Sequence, residues 1–259
     1  MDTTLTPTLA DSATLESGVL TVGVNASNTP FGGLNTSNEI IGFDVDLAAA
    51  LADELGLELD VVDVGSNGRS ALDNGQVDVV MGSSKSGSDV TVSYSDAYIN
   101  DGASLFCLSG NEPESMQDIT GQDDAIIVLG ESSSASTVQE ALGVDAVEAY
   151  ASMQDAFDAL ESGEHAYLVT DAVIGSYFSR DYDDIVRVDF VGADTVVPMY
   201  ALTLTENEEL TEAVSAALET VSENGVLRVV ESKWLGDDGE ALLGSSVDTS
   251  TLPQTAFGS

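Results

Sequence analysis

Short apolar runs alternating with helix-spaced segments restrict the fold of this chain more than any other feature. Val19, Leu20, Val22 and Val24 make a nearly continuous apolar strand, ended by the polar turn Asn25-Ala26-Ser27-Asn28-Thr29-Pro30 before Phe31. Asp44, Leu47, Ala48, Leu51 and Leu55 then follow helical spacing, with Gly56 placed to stop the helix. A strand over 57–62, a short helix over 69–74 and a buried strand over 77–81 come next. After Tyr98 the pattern restarts with a strand over 125–129, a polar turn over 132–136 and a helix opened by Thr137, at capping-box spacing from Glu140. A segment over 144–148, a helix presenting Phe157 and Leu160, a strand over 166–170, a helix over 172–179 and a strand over 185–190 continue the alternation. A strand over 199–204, an amphipathic helix through Leu210, Val214, Leu218 and Val221, and a last helix to Trp234 close it. Buried strands alternating with helices of this length require a parallel α/β sheet. Two such units in succession imply two lobes, with ligand bound at the carboxyl ends of strands in the cleft between them.

Charge narrows the function. Among 259 residues, 6 Lys+Arg stand against 46 Asp+Glu, a formal net charge of −40, with 43% hydrophobic residues. Disorder combines high charge with a hydrophobic deficit, so this chain folds. With so few cations it cannot neutralise a run of phosphates, which excludes nucleic acid and an anionic membrane surface as partners. Acid excess of this size with Lys almost absent is the composition of proteins that work in molar salt. The clusters Asp181, Asp183, Asp184 and Asp237, Asp238, Glu240 accordingly read as solvation. One His (His165) and one Cys (Cys107) leave no zinc set, no imidazole-driven nucleophile and no internal disulfide. The run from Asp63 to Gly68 departs from a calcium loop at Gly65 and Asn74. No cofactor and no metal are expected.

Several motifs, in order, resemble the solute-binding proteins of ABC amino-acid importers, the polar amino-acid group called family 3. They are Gly18–Val24, Thr29-Pro30-Phe31, Gly42-Phe43-Asp44-Val45-Asp46-Leu47, Gly75-Gln76-Val77-Asp78, Tyr94-Ser95-Asp96-Ala97-Tyr98, the run Gly163 to Asp171, and Asn224-Gly225 through Lys233-Trp234-Leu235-Gly236. The resemblance implies a two-lobed, periplasmic-binding-protein-like α/β fold of type II with two hinge strands, near Ser104–Phe106 and Tyr200–Leu202. Lobe 1 would be discontinuous, 15–104 and 203–243, lobe 2 would be 105–202, and 1–14 and 244–259 would be flexible tails.

The same resemblance assigns a site. Asn25, Asn28 and Phe31 would line lobe 1, although Phe31 reads equally as a packing staple. Ser132 and Ser133 fall where the family places Ser or Thr at a helix N-terminus, whose free N–H groups suit a carboxylate. Asp171 falls on the family's acid for a ligand ammonium, and could instead cap the helix that follows it. The family's carboxylate-clamping Arg is missing: Met81-Gly82-Ser83-Ser84-Lys85-Ser86-Gly87-Ser88 runs about two residues short. Ser83 belongs to that wall. Lys85 stands as a point-charge replacement or as a solvated loop lysine, and Arg69 lies one place off a family Arg.

The function implied is that of an extracellular, non-enzymatic receptor, a monomer, delivering an amino-acid-like ligand to a membrane ABC permease. The alternatives are a dehydratase on the same scaffold, with Glu131 the one acid beside the ligand turn, and a ligand-sensing domain. Met1-Asp2-Thr3-Thr4 begins no basic-then-apolar leader, and no run of about 20 apolar residues spans a membrane. The expectation is a mature form held to the outer face of the membrane through its N-terminal stretch.

Overall fold

A computed structural model describes residues 6–85, 87, 89–120, 125–244 and 247–258. The outermost parts of the expected tails, Ser86 and Ser88 of the Ser-rich motif, and the side chains of Asp237 and Asp238 lie outside the described residues. The chain divides into two compact units, residues 1–99 with 198–234, and residues 100–197 with 235–259. In order, the elements are β1 (Val19–Val24), β2 (Gly33–Leu34), β3 (Ile40–Ile41), α1 (Phe43–Leu55), β4 (Glu58–Asp63), α2 (Gly68–Asp73), β5 (Val79–Ser84), β6 (Val92–Tyr94) and β7 (Ile99–Asp101). There follow β8 (Ala103–Leu108), β9 (Ile126–Leu129), α3 (Ser133–Leu142), β10 (Val147–Tyr150), α4 (Met153–Glu161), β11 (Leu168–Asp171), α5 (Ala172–Ser179) and β12 (Ile185–Phe190). β13 (Val197–Leu204), α6 (Glu208–Glu223) and α7 (Val226–Leu235) complete the series.

In the first unit the sheet runs β4-β1-β5-β13-β6. β1 pairs in parallel with β4, from Val19 opposite Glu58 to Val24 opposite Asp63, and with β5, while β13 joins antiparallel. Going from β1 to β4 and back across to β5 reverses the direction of travel, so the carboxyl ends of β1 and β5 form a topological switch point, where open α/β sheets leave a crevice. α1 buries Phe43, Leu47, Ala48 and Leu51 and packs beside α6; Gly56 ends it with φ +68, a conformation glycine adopts without Cβ cost.

Motif residues tie this unit together. Asp78 accepts from Leu15 N–H at 2.8 Å and Thr21 N–H at 2.9 Å, fixing the entry to β1. Asp46 accepts from Lys233 Nζ at 2.5 Å and Trp234 Nε1 at 2.6 Å, joining α1 to α7. Ser95 Oγ accepts from Ala201 N–H at 3.0 Å. Much of what makes these motifs recognisable is therefore structural.

The second unit repeats the topology. Its sheet runs β10-β9-β11-β8-β12, with β9 parallel to both β10 and β11, and β8 antiparallel to β11 and β12. Alternation along the strands divides the core. Leu105, Ile126 and Val128 face one apolar cluster with Val138 of α3; Phe106 and Ile127 face another, with Phe157 and Leu160 of α4. Helix α3 begins four residues before the expected start, because Ser132 takes the cap, accepting from Ala135 N–H at 3.0 Å. Thr137 lies inside the helix and turns its hydroxyl back to Ser133 O at 3.0 Å.

Neither end is free where it is described. Thr8 N–H donates to Leu55 O at 3.1 Å, Ala10 N–H to Glu209 Oε1 at 2.8 Å, and Asn207 Nδ2 to Ala13 O at 2.9 Å, so the N-terminal stretch lies against the first unit. At the other end Ala256 and Phe257 are buried in the second unit's core, with Phe257 N–H on Val191 O at 2.8 Å and Ala193 N–H on Pro253 O at 2.7 Å. A Cβ at Gly192 would sit 2.6 Å from Ala256 N, so glycine permits the approach. The expectation of tails fails there because their Ser/Thr-rich composition conceals the apolar anchors.

Candidate ligand-binding site

At the switch point of the first unit lies a cavity of about 300 Å³, at the low end of the size range of small-molecule pockets. Its wall comes from the turn after β1 (Asn25, Asn28, Phe31), the segment leading into α2 (Val64 to Arg69) and the end of β5 (Gly82, Ser83, Ser84), with Asp44, Asp89 and Tyr94. Asn25 shapes its own turn, Oδ1 accepting from Ser27 N–H at 3.0 Å. Phe31 serves both readings: it lines the cavity and meets Phe43 edge to face, ring centroids 6.3 Å apart.

Asp44 is 2% exposed. Its Oδ1 accepts from Tyr98 Oη at 2.7 Å, and that hydroxyl accepts from Gly82 N–H at 2.7 Å, so the first turn of α1 positions the end of β5. Burial raises the Asp44 carboxyl to about 7, the Tyr98 hydrogen bond opposing it. Arg69 donates Nε to both oxygens of Asp73 at 3.0 Å, Nη2 to Thr91 Oγ1 at 2.7 Å and Nη1 to Asp89. Asp89 in turn is lowered to about 2 by the Thr91 hydroxyl, the Thr91 N–H and Arg69. Lys85 lies outside the cavity wall. Its Nζ stands 4.2 Å from the Tyr200 ring centroid and 5.5 Å from that of Tyr94.

In the second unit Ser132, Ser133 and Asp171 come together at the carboxyl ends of β9 and β11. Asp171 Oδ1 accepts from Ser134 Oγ at 2.7 Å and Ser133 Oγ at 3.4 Å. Although Asp171 occupies the N-cap position of α5, its side chain makes no capping bond. Asp101 does that work from β7, its Oδ1 accepting from Val173 N–H at 3.0 Å. Burial and, after it, the Asp171 charge raise Asp101 to about 7.

Sequence reasoning missed Asp44, Asp101 and Ser134. Asp44 stands in a quoted motif but reads there as an ordinary helix start; Asp101 carries no local signal. Among the described residues no group of three or more His, Cys, Asp or Glu is arranged to hold a metal ion, and no helix is long and apolar enough to cross a membrane.

The model of the bacterial extracellular solute-binding proteins, family 3, matches residues 20–237. The chain belongs to that family. It is 27% identical over 230 residues to an arginine-binding extracellular protein of Bacillus subtilis, covering 83% of this chain and 85% of the relative. With an L-cystine-binding protein of Escherichia coli it shares 26% over 234 residues, 86% and 85% of the two chains. An ancestral cationic amino acid solute-binding protein superposes with TM-score 0.72 at 26% identity, over 84% of this chain and 96% of that one. A polar amino-acid uptake receptor of Streptococcus thermophilus, at 20% identity, shares the fold with TM-score 0.73 over 86% and 88%. The two-lobed binding-protein fold and the solute-binding role follow from this membership.

Proposed function

We propose that this family member is the receptor of an ABC importer, taking up a small amino-acid-like ligand outside the cell and delivering it to a membrane permease. The observation that carries the reading is the freedom of Asp171. With α5 capped by Asp101, the Asp171 carboxylate is held by serine hydroxyls at the end of β11, available to a ligand ammonium. Asn25, Asn28, Phe31, Asp44, Arg69 and Ser83 supply the wall in the first unit, and Ser132 and Ser133, at the start of α3, offer polar groups in the second.

The receptor works without catalysis, without cofactor and as a monomer, in molar salt, tethered by its N-terminal stretch. A dehydratase needs a general acid kept protonated near neutrality; Glu131 is exposed on a left-handed turn (φ +60), with no such enclosure. A thermal-shift screen of amino acids in molar salt tests the reading. A raised midpoint with one or a few of them is expected, with no turnover of an arogenate-like substrate. No shift with any amino acid would overturn it. Ligand-dependent stimulation of ATP hydrolysis by a reconstituted permease distinguishes delivery from sensing.

A further inference from the structure

The charged residues lining the cavity of the first unit are Asp44, Arg69 and Asp89. Arg69 is divided between two carboxylates, Asp73 and Asp89, so that group alone is anionic by one. Among the described residues lining the cavity, no cation stands without a carboxylate partner. Lys85 lies against Tyr200 instead. The remaining polar lining, Asn25, Asn28, Ser66, Ser83 and Ser84, is neutral and suits either sign.

Asp44 adds a specific feature. Tyr98 occupies Oδ1, whereas Oδ2 carries no hydrogen bond among the described residues. The residue beside Oδ2 is Gly82, where a Cβ would lie 2.7 Å from that oxygen. Having no side chain there leaves Oδ2 uncovered in the cavity wall. A buried carboxylate oxygen without a donor is costly unless something supplies one, and a carboxylate is best satisfied by a charged N–H group.

We infer that the ligand carries net positive charge, with a guanidino or ammonio group seated on Asp44 Oδ2 in this cavity; the inference rests on the receptor reading above. An acidic amino acid would meet Asp44 and Asp89 with no unspent cation to compensate. The titratable groups facing Asp44 are Tyr98, bonded to it, and Arg69 and Asp89 in the same wall; Asp46, two residues along α1, is turned to Lys233 and Trp234. Since burial holds the Asp44 carboxyl near 7, a cation arriving there drives it to ionise and release its proton.

Titration calorimetry in molar salt with arginine, lysine, agmatine, glutamine and glutamate tests this. The cationic compounds should bind about tenfold or more tighter than glutamine, the margin of roughly one charge-assisted hydrogen bond, and glutamate should not bind. Asp44→Asn, which keeps an oxygen for Tyr98, should abolish that margin while leaving glutamine unchanged. Should that variant fail to fold, the native protein still decides: binding of arginine near pH 7 should release protons, seen as a dependence of the binding enthalpy on buffer ionisation enthalpy. Glutamine or glutamate binding as tightly as arginine, or no proton release, overturns the inference and leaves the receptor reading standing. Failure of every amino acid to bind overturns both.

Discussion

Asp101 secures the first turn of α5 by accepting from Val173 N–H at 3.0 Å, although Asp171 occupies the capping position in the chain. The two carboxylates therefore have separable roles. Asp101→Ala removes an acceptor from a helix N-terminus and should cost about 0.5–2 kcal/mol of stability. Asp171→Asn should leave stability nearly unchanged and lower ligand affinity by about 2–5 kcal/mol, as loss of one partner of a buried charge pair does. Melting curves and calorimetry on both variants check the division; native affinity in Asp171→Asn would remove that residue from the site.

Asp44 and Asp101 are both held near 7 by burial. An unfolded aspartate ionises near ~3.9, so between about pH 4 and pH 7 the folded chain retains protons that the unfolded chain has lost. Their contribution to stability is full below that window and is lost as pH rises through it. Most exposed carboxylates are already ionised by pH 5.5, so the interval from 5.5 to 7.5 isolates these two. The unfolding midpoint in molar salt should fall across it, and Asp44→Asn with Asp101→Asn should flatten the slope.

With a formal charge of −40, stability should also depend on salt. Lowering NaCl from 1 M to 0.1 M lengthens the screening distance from about 3 Å to about 10 Å, enough for neighbouring carboxylates to repel collectively. The midpoint should drop on dilution. A midpoint unchanged between the two concentrations would refute the reading of this surface as adapted to salt.

Lys85 offers a different contrast. Placed over Tyr200 and clear of the cavity wall, it acts by packing its charge on an aromatic face. Lys85→Ala should cost about 0.5–1 kcal/mol of stability, the range for an exposed cation–π contact, with ligand affinity within twofold of native. A large loss of affinity would restore Lys85 as a substitute for the absent arginine clamp.

The contrast between Lys85 and Asp101 shows what a single sequence carries. Strands such as Val19–Val24 and Ile185–Phe190 are legible because doubly covered sheet produces unbroken apolar runs, and α1 because its buried face repeats at helical spacing. Ser132, Ser133 and Asp171 are legible through motif order, and the structure brings them together. The partners of Asp44 and Asp101 lie 54 and 72 positions away, beyond any local pattern. The start of α3 was obscured by a run of Ser and Thr in which several residues can cap, and tertiary placement chose Ser132 over Thr137.

The same concealment gives the C-terminal segment its test. Phe257 is 5% exposed among Met116, Ile119, Val138 and Val191, and its N–H closes on Val191 O at 2.8 Å. Truncating a buried phenylalanine removes its transfer free energy and leaves a cavity, about 3–5 kcal/mol in well-packed cores. Phe257→Ala should therefore destabilise the chain by that order, and Gly192→Ala should act in the same direction by pushing a Cβ against the backbone at Ala256. A free tail predicts that both substitutions are silent, so a denaturant titration showing a midpoint unchanged in Phe257→Ala would detach the segment from the core, whereas a loss of this size makes residues 252–257 an integral part of the second unit.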